Sequence, residues 1–228
     1  MILRIVFPAV AVALFAGFFI YAKTSDPISP SSSPQENKAA AFTPKENTTD
    51  SLPALPDSLA NEDTVLVAWK HLYRLRIYHN GRPEKTYVIG LGQEPIGHKQ
   101  MQGDNRTPEG DYRIIQKSRG PFEGDYAQYL GVAWMRLNYP NNADAIAGYQ
   151  KKLITEAQKN AIVKANNAGK EPPKTTKLGG GIGIHGWWGE WPGNDRQNLT
   201  WGCISVQNTE LDDLYKRVSV GNRIIVYP

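Results

Sequence analysis

Cys203 is the only cysteine among 228 residues, and it directly follows Gly202 in the run NLTWGCISVQN. Eighteen positions earlier, His185 directly precedes Gly186 at the end of GGGIGIHG. A thiol and an imidazole are the two groups that an attack on an acyl carbon requires, the sulfur as nucleophile and the ring as acceptor of its proton. The same chemistry needs an acceptor that orients the imidazole and backbone N–H donors for the tetrahedral oxyanion. Gly186 exposes its carbonyl and lets the chain turn away at once. Gly202 allows a close backbone approach, with its N–H and that of Cys203 directed at the developing charge. Without a second cysteine, neither an intrachain disulfide nor a CxxC redox couple can form.

Four of the six tryptophans, Trp187, Trp188, Trp191 and Trp201, fall between His185 and Cys203. Their faces could stack on a sugar or keep water from an acyl intermediate, or could simply pack a loop. Arg106, in GDNRTPEG, has the bidentate geometry that grips a peptide carboxylate. His71, His79 and His98 lack the spacing and the acidic or thiol neighbours of a metal site.

These residues need a scaffold, and the pattern is mainly β. TVLVAWK and RLRIYHN are rich in β-branched and aromatic residues, Asn80-Gly81 turns the second run into a third, and DYRII, GGGIGIHG and GNRIIVYP also read as strands. Apolar residues at helical spacing predict one long helix over 142–169, capped by Asn142 or Asp144 and either packed on the domain or placed as a lid. A shorter helix in NTELDDLYKRV takes Asn208 or Thr209 as its cap.

The chain begins differently. From Ile5 to Ala22 there is no charge, and as a helix this run spans roughly 27 Å, about the thickness of a bilayer core. Residues 1–23 therefore read as a transmembrane segment. Ile20, where signal peptidase wants a small residue, favours an uncleaved anchor over a cleaved signal peptide. Residues 24–61, rich in Ser, Pro, Asn and Thr, read as a disordered linker, and a folded domain is expected over 62–228. The net charge of +4 is spread along the chain and forms no basic stripe, so nucleic-acid binding is not expected.

The motifs resemble those of the L,D-transpeptidase catalytic domain, or YkuD, family. There a His, usually followed by Gly, leads after about 14 to 17 residues to Ser or Thr, His, Gly and Cys. Here HG at 185–186 leads to TWGC at 200–203. GDNRTPEGDYRI and the ending ISVQNTELDDLYKRVSVGNRIIVYP also look like family elements, so that the resemblance covers about residues 63–228. It implies a YkuD-like β-sandwich with a few helices, Cys203 as nucleophile, His185 as base, the Gly186 carbonyl as its orienter, and Gly202 and Cys203 N–H groups in the oxyanion hole.

The implied substrate is a peptidoglycan tetrapeptide stem, held as a thioester on Cys203 and passed to an amine. No metal or organic cofactor is implied. Trp201 stands where the common motif has His and Ser205 where it has Arg, a pattern closer to a T-x-G-C-I branch. Trp201, Ser205, Trp188 and Arg106 are the candidates for substrate binding. The alternatives are an L,D-carboxypeptidase or amidase that gives the acyl group to water, and an inactive peptidoglycan-binding module. A bacterial inner-membrane protein with its catalytic domain outside the cytoplasm is the expected setting, and its oligomeric state is left open.

Overall fold

The computed structural model describes residues 52–187, 191 and 196–228. The predicted anchor and most of the predicted linker, like Trp188, lie outside the described residues. Among the described residues no helix is long and apolar enough to cross a membrane. The strands are β1 Thr64–Trp69, β2 Arg74–His79, β3 Arg82–Val88, β4 Gly90–Gly92, β5 Gly110–Arg119, β6 Ala133–Leu137, β7 Gly183–His185, β8 Gln197–Thr200, β9 Ile204–Ser205 and β10 Arg223–Tyr227. Among the described residues three α-helices join them, α1 Asn142–Gln150, α2 Glu156–Asn167 and α3 Asn208–Arg217. The fold is thus mainly β with few helices.

The strands follow one order, β3-β2-β1-β10-β5-β6-β7-β9-β4-β8. β5 is the hinge of this order: residues 110–113 pair with β10 and residues 114–119 with β6. The two arms on either side of it bury one shared core, with Leu66, Ile77 and Ile224 from one arm and Met135, Ile184 and Ile204 from the other. Leu211 and Leu214 of α3 complete it. Every residue of β1 is buried, because Leu66 and Ala68 face that core while Val65, Val67 and Trp69 face a second cluster. A central strand covered on both sides reads as a continuous apolar run.

Leu59 is buried in that second cluster, with Leu52 and Leu55 packed at its edge. These three leucines lie ahead of the expected boundary at residue 62 and give the end of the linker apolar surface to bury.

The predicted helix over 142–169 is two helices. Lys152 takes a positive φ of 58°, and Thr155 opens α2 with a capping box to Gln158, so the chain reverses where a continuous helix was expected. α1 is capped by Asn141, reciprocally with Asp144, one position before the predicted Asn142. The pair buries Ala145, Ile154, Ile162 and Leu178 in its own small core, which corresponds to packing on the domain. An open, mainly apolar cleft of about 540 Å³ lies between the 53–56 segment and Trp69, His71 and Tyr227, and none of the candidate site residues lines it.

Candidate active site

β7 and β9 run parallel, with Ile184 opposite Ile204 and His185 opposite Ser205. The two isoleucines anchor the pair in the core, and Cys203 immediately precedes β9. The candidate thiol and imidazole are thereby carried on neighbouring strands. His185 is 4% exposed, and its Nδ1 donates to the Gly186 carbonyl at 2.6 Å. That bond places the ring proton on Nδ1 and leaves Nε2 as the basic nitrogen. Trp134 of β6 pairs with His185 and lays its indole against the ring at a centroid distance of 5.8 Å. Gly183 makes room for it, since a Cβ there would lie 2.7 Å from the indole edge. Burial drives the His185 pKa down to about 4, against the smaller opposing pull of the Gly186 and Tyr129 carbonyls.

Cys203 is half-buried, and its Sγ donates to the Gly181 carbonyl at 3.7 Å. No hydrogen bond joins it to a described nitrogen of His185. Burial pushes the thiol up to about 11, opposed more weakly by the Gly183 N–H and by the charges of Lys99 and Arg136. Both groups are therefore neutral at pH 7. The turn before the thiol is fixed by Thr200, whose Oγ1 accepts from Gly202 N–H at 3.1 Å and donates to the Cys203 carbonyl at 2.7 Å. Gly202 has φ +128°, and a Cβ there would lie 2.6 Å from the Arg106 carbonyl. Its N–H, expected in the oxyanion hole, is instead engaged by Thr200, which leaves the Cys203 N–H as the donor beside the sulfur.

The GDNRTPEG loop packs on this turn. Asp104 receives the N–H groups of Gln100, Met101 and Arg106 and the Lys99 ammonium. Burial alone would raise its carboxyl, but Lys99 and those N–H groups hold it below its ordinary value. Lys70, 2% exposed, ties the same loop through Glu109 at 2.7 Å and the Gly97 and Thr107 carbonyls. Arg106 is half-buried, with its backbone against Gly202 and its guanidinium near Gly97.

Trp201 is 51% exposed and meets Tyr126 and Tyr129 edge-on at 5.7 and 5.4 Å. Tyr129 in turn lies 6.2 Å from Trp187. An aromatic wall thus flanks the thiol turn. Ser205 is fully buried, with a hydroxyl that has no hydrogen-bond partner among the described residues, and it offers no surface to a ligand. Sequence reasoning missed Trp134, Tyr129 and Thr200. The apolar run VAWMRL would have exposed β6, whereas the contact of the Tyr129 carbonyl with the ring leaves no sequence signal.

The chain matches the L,D-transpeptidase catalytic domain family, YkuD, over residues 62–226. Among solved structures it is similar to the helical cell shape determining protein Pgp2 of Campylobacter jejuni. A point-mutant structure of that protein shares 25% identity at a TM-score of 0.50, covering 73% of this chain and 48% of that one. It is also similar to L,D-transpeptidase 3 of Mycobacterium tuberculosis in complex with a faropenem-derived adduct, at 14% identity and a TM-score of 0.44, covering 73% and 60%. An L,D-transpeptidase of Enterococcus faecium matches at 16% identity and a TM-score of 0.42, covering 73% and 50%. The chain thus spans about half the length of the Pgp2 chain. No curated protein matches this sequence.

Proposed function

This chain belongs to the YkuD family of L,D-transpeptidase catalytic domains, and from that premise we propose that it is a cysteine acyltransferase acting on peptidoglycan stem peptides. Cys203 attacks the carbonyl of the diaminopimelate residue in a tetrapeptide stem while its proton passes to His185 Nε2. The tetrahedral oxyanion is met by the Cys203 N–H. On collapse, the C–N bond to the terminal D-alanine breaks, His185 returns the proton to the leaving amine, and the stem remains as a thioester. An amine of a second stem then attacks, its proton goes to His185 and on to the sulfur, and the thiol is regenerated.

The observation that carries this reading is the 2.6 Å bond from His185 Nδ1 to the Gly186 carbonyl. It fixes the tautomer that makes Nε2 a base. The Gly186 and Tyr129 carbonyls both favour the protonated ring and so stabilise the imidazolium formed during attack. Because the thiol pKa lies near 11 and that of the imidazole near 4, proton transfer accompanies attack rather than preceding it. Trp201 and Arg106 are the proposed substrate contacts. The uncharged run from Ile5 to Ala22 supports a membrane tether with the domain outside the cytoplasm.

A second reading, hydrolysis of the same thioester, is favoured by Ser205. At the position where the better-known motif places an arginine, this chain has a buried side chain with nothing to offer an incoming acceptor. Mass spectrometry of purified disaccharide-tetrapeptide after incubation with the full chain decides between them. Cross-linked dimer lacking one D-alanine, absent with Cys203→Ala, establishes the transpeptidase. Tripeptide without dimer makes it a carboxypeptidase, and unchanged substrate overturns both.

A further inference from the structure

The two carbonyls that act on the His185 ring belong to two different segments, Tyr129 to the end of a short 3₁₀ helix, Ala127–Tyr129, whose following turn leads into β6, and Gly186 to the turn after β7. One side chain ties these segments together. Asn208 Oδ1 accepts from the Val132 N–H at 3.1 Å, and its Nδ2 donates to the Trp187 carbonyl at 2.8 Å. Beside it, the Gly186 N–H donates to the Leu130 carbonyl at 2.9 Å. The fit around the carboxamide is close: a Cβ on Gly131 would lie 2.1 Å from Asn208 Oδ1, and one on Gly186 would lie 2.0 Å from it. Glycine in both turns is what admits the amide.

Asn208 begins α3, five residues after Cys203. The expected role as helix cap does not hold, because Gln207 occupies that position and makes no side-chain cap. A side chain of this type at a helix start ordinarily satisfies the helix's own N–H groups. Here it is turned away to bind two other segments. An amide does both parts of this from two separate atoms, its oxygen accepting from one backbone and its nitrogen donating to the other.

We propose that Asn208 is a positioning residue for His185: its carboxamide locks together the segments bearing the Tyr129 and Gly186 carbonyls, and thereby holds the imidazole with Nδ1 engaged by Gly186. The assignment rests on the reading of Cys203 and His185 as the reacting pair. It also ties the segment that follows the thiol to the turns that hold the ring, so that the two groups keep one mutual placement.

The test uses the full chain with purified disaccharide-tetrapeptide, comparing Asn208→Ala and Asn208→Asp with Leu214→Ala, a buried change in the same helix that leaves the turns alone. For Asn208→Ala, kcat should fall on the order of tenfold to a hundredfold with KM within about twofold, since small misplacements of a reacting group have effects of this size. Its acidic pH limb should move from near 4 towards 6.5 as the ring gains water. Asn208→Asp keeps the acceptor for Val132 and hence half of the lock, but sets a carboxylate against the Trp187 carbonyl; it should fold and show the same kinetic defect. Leu214→Ala should lower the Tm without moving the limb.

An unchanged kcat and limb in the Asn208 variants, or losses that track Tm equally in all three, overturns the positioning role. Turnover that survives Cys203→Ala overturns the reacting pair and this role with it. A dead Cys203→Ala beside unaffected Asn208 variants overturns the positioning role alone.

Discussion

Ile184 of β7 and Ile204 of β9 are partners in a parallel pair, which places Cys203 one residue before that pair on one strand and His185 one residue after it on the other. Two residues of rise and one interstrand step separate their Cα atoms by roughly 8 Å. That is within reach of a thiol and an imidazole, yet the sulfur is hydrogen-bonded to Gly181 instead. The resting site is neutral and disengaged, with the thiol given to the Gly181 carbonyl and not to the ring.

A disengaged thiol should be slow to react. With its pKa near 11, Cys203 should be alkylated by iodoacetamide at pH 7 on the order of a hundredfold more slowly than free cysteine, and faster as pH rises from 9 to 11. Alkylation rates followed by mass across this range check it. An inflection near 8.5 would mean that the sulfur is solvated or paired with the ring.

His185 links stability to acidity. Its folded pKa, near 4, lies below the ordinary value, so between about 4 and 6.5 the unfolded chain binds a proton that the folded chain refuses. The contribution of the neutral ring is fully present above 6.5 and is lost as pH falls through this window, by about 3 kcal/mol in all. Denaturant titrations of the native chain and of His185→Gln at several pH values should show the variant with the flatter acid slope. Equal slopes would place the ring in water.

Gly90 and Ser205 should couple. They are partners across β4 and β9, and a Cβ on Gly90 would lie 2.3 Å from Ser205 Oγ. Gly90→Ala should be destabilising by about 1–3 kcal/mol through overpacking. Ser205→Ala removes a buried hydroxyl without a partner and should be neutral or mildly stabilising. The double variant should lose less than the sum of the singles, as unfolding midpoints would reveal; strict additivity would mean that the strands move apart.

Trp201 and Trp134 should separate in their effects. Trp201→Ala, at an exposed ring, should raise KM and leave the Tm within a few degrees. Trp134→Ala, which uncovers His185, should lower both kcat and Tm. A collapsed fold in Trp201→Ala would assign its ring to packing.

The site is half legible in the sequence, for a physical reason. Cys203, His185 and their glycines are visible because each role demands one residue type at a fixed place along the chain. The strands with β-branched runs and the Asn80-Gly81 turn, with φ of +48° and +73°, are visible because their patterns are local. Asn208 was misread because an asparagine before an amphipathic run signals a cap, while its actual partners, Val132 and Trp187, are distant in sequence. The break between α1 and α2 was available in Thr155-x-x-Gln158, but the apolar spacing carried across it. The Thr200 engagement of the Gly202 N–H depends on turn geometry that spacing does not encode.

The central place of β10 governs when any of this exists. The last strand lies between β1 and β5, pairing in parallel with the first and antiparallel to the hinge strand. A chain leaving the ribosome N-terminus first therefore has β1–β3 long before the strand that joins them to the rest of the sheet. By topology the sheet cannot close, and Cys203 and His185 cannot be held in one core, until β10 has emerged.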